Sequence, residues 1–98
     1  MKATAEIQVI PIGVGVSLRN EVTRAHQVIV ESGLACELHG FGTNVEGELE
    51  DILATVLRIH ELLHAEGTPR LATNLKLGTR KAGENSLEAK VKAVRDSL

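Results

Sequence analysis

The chain has 98 residues, a formal net charge of −2 and 43% hydrophobic residues, almost all Leu, Val, Ile and Ala, with one Phe and neither Trp nor Tyr. Such a length supports one small aliphatic core with little margin, and the charge and missing rings exclude the usual grip on single-stranded nucleic acid, which stacks bases on aromatics and neutralises phosphates. Cys36 is the one cysteine, which excludes an intrachain disulfide and a multi-cysteine metal site, and no run of about 18 apolar residues suits a spanning helix.

Residues 3–10 alternate, Ala3, Ala5, Ile7 and Val9 against Thr4, Glu6, Gln8 and Ile10, which is the period of a strand with one covered face. The same opening, MKATAEIQVI, holds a charged Glu6 and no long apolar stretch, so it does not read as a signal peptide and a cytoplasmic protein without a membrane partner is expected. Pro11 and the glycines of IGVGVS end the strand. Ser17 is placed to N-cap a helix carrying Leu18, Val22, Ala25 and Ile29 at three- and four-residue spacing, and Gly33 to stop it. Two short extended segments, residues 35–39 and 43–47, flank Gly40, Phe41 and Gly42 and suit a hairpin, with Cys36 read as a small buried strand residue.

Residues 48–66 are predicted as a long helix with the stripe Leu49, Ile52, Leu53, Val56 and Leu63. Glu48, Glu50 and Asp51 sit where the helix dipole favours anions, and Gly67 closes the helix ahead of Pro69. Leu57, Ile59 and Leu62 fall outside that stripe, so a second buried surface such as a subunit contact is expected there. A last strand over residues 70–77 alternates Leu71, Thr73, Leu75 and Leu77 with Ala72, Asn74 and Lys76. The polar loop GTRKAGENS then leads to a short helix from about Leu87.

The order βαββαβ plus a terminal helix, with right-handed crossovers, predicts an α+β ferredoxin-like sandwich as one domain over residues 1–98. Its sheet has four antiparallel strands, the first and third central, with the two crossover helices on one face. The opposite face then collects Glu6, Gln8, Glu37, His39, Asn44, Glu46, Asn74 and Lys76. Partly covered carboxylates on adjacent central strands, such as Glu6 and Glu46, cost free energy unless they meet a cation or donors, which a cationic or amine-bearing ligand supplies. A solvated face, or one packed on another subunit with Lys76 pairing the carboxylates, satisfies them as well, and both readings stand at this point.

Other motifs carry less. His60-Glu61-Leu62-Leu63-His64 fits the H-E-x-x-H pattern of zinc hydrolases, but no histidine follows residue 64 as a third ligand, and the chain is short for a second lobe. Gly13-Val14-Gly15 precedes a helix without the third glycine of a dinucleotide fingerprint or a P-loop lysine. Ser17 and His26 lack a nucleophile elbow, so no catalytic residue, metal or cofactor is expected.

An opening strand ending in VIPIG, a Ser-initiated helix, then GTNVEGELEDIL, a helix with His60-Glu61, an Ala65-Glu66-Gly67 stop, Arg70 and a final KVKAV run together over nearly the whole chain. In order and spacing this resembles the small thiamine-binding proteins of the YkoF-like family, most specifically at Gly42-Thr43 and Glu46-Gly47. The resemblance implies a ferredoxin-like homotetramer that binds thiamine or its hydroxymethylpyrimidine moiety without transforming it, as a carrier or sensor. Thiamine's cationic thiazolium and its aminopyrimidine edge match a carboxylate beside a hydroxyl or amide, which makes Glu46 and Thr43 the first candidates. Glu6, Gln8, His39, Asn44 and Asn74 are expected to line the site by sheet-face geometry, with Ser17 near its mouth. Two alternatives remain: a structural or regulatory ferredoxin-like oligomer without this ligand, and a zinc hydrolase built on the HELLH segment.

Overall fold

The alternation that begins at residue 2 runs on through Pro11, and β1 (Lys2–Ile12) is the longest strand of the computed structural model, which describes residues 1–83 and 86–98. Glu84 and Asn85, within the polar loop read ahead of the last helix, lie outside the described residues. Pro11 does not end the strand as expected. β3 stops pairing at Ile7, so beyond it β1 has only β4 beside it, the kind of edge position that tolerates a missing N–H.

The remaining elements are α1 (Arg19–Glu31), β2 (Ala35–His39), β3 (Gly42–Glu48), α2 (Leu49–Ala65), β4 (Arg70–Thr79) and α3 (Leu87–Asp96). The strands pair antiparallel in the order β2-β3-β1-β4, which is the ferredoxin-like α+β sandwich with an added C-terminal helix. Register fixes the faces. Ala5 lies opposite Val45 and Leu77 on the helix side, while Glu6 lies between Asn44 and Lys76 on the outer side. Gly42 permits the hairpin to close onto β1, because a Cβ there would stand 2.5 Å from the Ile7 carbonyl oxygen.

The core is aliphatic, as the composition requires. Ile7, Val28, Ile29, Val45, Ile52, Ile59 and Leu63 are fully buried between sheet and helices, and each is worth about 1.5–3 kcal/mol relative to exposure. α1 starts one residue later than predicted. The Leu18 carbonyl already accepts from the Val22 amide at 3.0 Å, which leaves Ser17 outside the first turn, exposed and not the cap. Gly33, at φ +82°, does end α1 in the left-handed conformation.

The buried stripe of α2 is Ile52, Thr55, Ile59 and Leu63, with Leu49, Val56 and Leu62 packed against it. Thr55 enters it because its hydroxyl donates to the Asp51 carbonyl at 2.7 Å and needs no other partner. Admitting Thr55 turns the helix. Ile59 and Leu62 join the core, and the aliphatic side chains left outside are Leu53 and Leu57, 47% and 61% exposed. Cys36 is exposed rather than buried, because β2 is an edge strand.

Candidate functional site

Two concavities flank the β2–β3 hairpin, one on each side of the sheet. On the helix side, a pocket of about 350 Å³ lies between α1, the hairpin and the end of β1. Its floor is core: Ile7, Ala25 and Ile29. Leu18 and Val22 of α1 form one wall, and Leu38 and Phe41 of the hairpin stand at its rim, Phe41 being 78% exposed. Within this apolar lining His26 Nδ1 lies 3.1 Å from Thr43 Oγ1, and the described residues supply no partner to His26 Nε2. The pocket therefore presents a hydroxyl and an imidazole nitrogen in an apolar surround, the composition typical of small-molecule sites.

On the outer side, a groove of about 730 Å³ runs between α3 and the β2–β3 pair, lined by Ala35, Glu37, Asn44, Glu46, Leu87 and Val91 among others. Glu46 is committed here. Its Oε1 accepts the Leu87 backbone N–H, so the carboxylate sits at the N-terminus of α3, where the helix dipole also favours it. Lys90 Nζ donates to the buried Thr4 hydroxyl at 3.1 Å, and Ser86 caps the helix by accepting from the Ala89 amide.

The structure divides the predicted site residues. Thr43 is on the helix face and Glu46 on the outer face, so the sheet separates the pair expected to act together, and alternation along β3 is the reason. Glu6, His39 and Asn44 do meet. His39 Nδ1 accepts the Phe41 N–H at 3.2 Å, which places the ring proton on Nε2, 3.0 Å from Asn44 Oδ1 and 3.2 Å from Glu6 Oε2. Gln8 and Asn74 pair with each other at 3.0 Å, and Gln8 and His39 also border the helix-side pocket. Ser17 lies in the β1–α1 connection and borders neither concavity. His26 was missed as a site residue, although its position four after Val22 and three before Ile29 already set it on the inward side of α1.

The HELLH histidines are occupied in packing. His60 Nε2 lies 2.7 Å from Thr73 Oγ1 on β4, and His64 Nδ1 donates to the Thr68 carbonyl at 2.8 Å. Among the described residues no three or more His, Cys, Asp or Glu side chains are grouped to hold a metal ion, and no helix is long and apolar enough to cross a membrane.

Fold and pocket together define a small ferredoxin-like domain with a ligand-sized recess between its first helix and its hairpin. The family model for thiamine-binding protein matches residues 5–95, and the chain belongs to that family. It is 37% identical over 94 residues to the UPF0045 protein sll0230 of Synechocystis, covering 96% of this chain and 78% of that one. With the UPF0045 protein MJ1052 of Methanocaldococcus jannaschii it shares 34% identity over 93 residues, 95% of this chain and 92% of the other. The crystal structure of MJ1052 superposes with a TM-score of 0.89 over 97% of both chains. That of a candidate thiamine biosynthesis/salvage protein from Thermotoga maritima superposes with a TM-score of 0.84 at 28% identity, over 97% of this chain and all (100%) of the other.

Proposed function

We propose that this protein binds thiamine or its hydroxymethylpyrimidine moiety without transforming it, as a cytoplasmic carrier or sensor that works as a homo-oligomer, a homotetramer. The pyrimidine occupies the helix-side pocket. The observation that carries this reading is the His26–Thr43 pair set within an apolar recess of about 350 Å³. An aminopyrimidine edge presents a donor beside an acceptor, and a hydroxyl beside an imidazole nitrogen can answer both. Phe41 at the rim offers a face to a flat ring. The thiazolium cation then extends past the hairpin toward the Glu6 carboxylate, which His39 holds in place while also meeting Asn44. Membership of the thiamine-binding family and the likeness to the Thermotoga maritima protein support the ligand class.

In this reading Glu46 is not a ligand group but the anchor of α3. The HELLH segment joins α2 to β4 through His60 and Thr73, which supports a binding rather than a hydrolytic role. The exposed Leu53 and Leu57 support self-association.

Calorimetric titration with thiamine and with hydroxymethylpyrimidine tests the proposal. Saturable heat is expected with the unaltered protein, and binding at least tenfold weaker with His26→Ala. No heat at millimolar ligand, or full affinity in His26→Ala, overturns the placement of the ligand in this pocket.

A further inference from the structure

The C-terminal helix adds nothing to the core: none of its residues is buried. It is nevertheless amphipathic. Leu87, Val91 and Val94 follow one another at spacings of four and three, the repeat of a helix-packing seam. Val91 and Val94 are 48% and 63% exposed, and Leu87 and Val91 border the outer groove. Glu46 and Thr4 hold the helix against the sheet by its first turn and Lys90, so the seam is presented rather than covered.

Charge on the seam's flank says what fits it. At about 100° per residue, Glu88 and Arg95 fall on the same side of the stripe, and both border the groove. They stand seven residues apart, the acid near the N-terminal end and the base near the C-terminal end. When two copies of a helix meet antiparallel about a two-fold axis, the same flank of each comes together with its ends reversed. The register that sets Val91 against the partner's Val94 brings Glu88 within a turn of the partner's Arg95, and the reverse pair likewise. Lys92 and Asp96 already pair within the helix and leave this pattern unchanged.

We propose that α3 is a self-association surface that receives the α3 of a second copy of this chain, antiparallel, with the Leu87, Val91 and Val94 seam closed by reciprocal Glu88–Arg95 pairs. The inference rests on the self-association part of the proposed function and is independent of its ligand. The partner helix covers the outer groove and leaves the helix-side pocket open.

Sedimentation equilibrium of the full chain with a charge swap tests it. Glu88→Arg alone and Arg95→Glu alone are each expected to weaken association about tenfold, through two lost attractions and two new repulsions. The double swap, Glu88→Arg with Arg95→Glu, is expected to restore it, and Val94→Asp to weaken it further with unchanged far-ultraviolet dichroism. Single swaps without effect, or a double swap that fails to restore association, overturn the antiparallel seam. If those variants leave the mass unchanged while Leu57→Asp dissociates the protein, the seam is wrong and self-association stands. An unaltered chain that stays monomeric at every concentration ends both, with the ligand reading still to be decided by calorimetry.

Discussion

The imidazole of His26 on α1 meets the hydroxyl of Thr43 on β3 at 3.1 Å, and this pair ties the first helix to a central strand in the wall of the pocket. Thr43 is buried, so Thr43→Val keeps the shape and strands His26 Nδ1 without a partner. The expected cost is about 1–3 kcal/mol in denaturant unfolding. Pyrimidine affinity should fall at least tenfold by calorimetry. A variant that binds normally would separate the pair from recognition.

The turned stripe of α2 makes a paired prediction. Ile59→Ala removes a fully buried side chain and should cost about 2–5 kcal/mol. Leu57→Ala should change unfolding at low protein concentration by no more than about 0.5 kcal/mol, since its side chain contributes little to the core. Equal losses at the two positions would contradict the orientation of the helix.

Gly42→Ala brings a Cβ to 2.5 Å from the Ile7 carbonyl oxygen, a backbone atom that cannot step aside. The hairpin must move off β1, with an expected loss of about 1–3 kcal/mol in a thermal melt. The pocket rim moves with it, so ligand heat should shrink in the same variant.

Glu46→Gln keeps an acceptor for the Leu87 amide and removes the charge that faces the helix N-terminus. Amide exchange in the first turn of α3 should quicken several-fold, while the melting of the sheet barely changes, because no residue of α3 is itself buried. Slowing at those amides would contradict the anchoring role.

Chelator treatment should leave the melting temperature where it is. His60→Ala should lower it by removing the partner of the Thr73 hydroxyl, whether or not zinc is supplied. Zinc-dependent stabilisation of the unaltered protein would revive the HELLH segment as a metal site.

Much of the fold was legible because it depends on short-range pattern. The period of two in β1 and β4, the glycine at residue 33 and the helical period of α2 each placed an element within a few residues. What was lost turned on exceptions to polarity. The apolar stripe drawn for α2 leaves out Thr55, whose hydroxyl returns to its own helix, and so takes Leu53 in place of Ile59. Ser17 reads as a cap, yet the first turn closes on Leu18.

The site was less legible, since the sequence grouped residues by neighbourhood and the strand divides neighbours between faces. Thr43 and Glu46, three apart, point to opposite sides of the sheet. The trio of Glu6, His39 and Asn44 could be read from face geometry, because all three lie on the outer side. His26 gave a helical signal but no motif. Its role depends on a strand that the sequence places 17 residues away.

Phe41 stands at the mouth of the pocket as the one phenylalanine in a chain without Trp or Tyr. The protein is therefore almost transparent in the near ultraviolet. A heterocycle entering the pocket brings the dominant chromophore with it, and any dichroism in its absorption band is induced by the site alone. Phe41→Trp would go a step further and install the chain's sole strong fluorophore at the entrance, where quenching reports occupancy in real time.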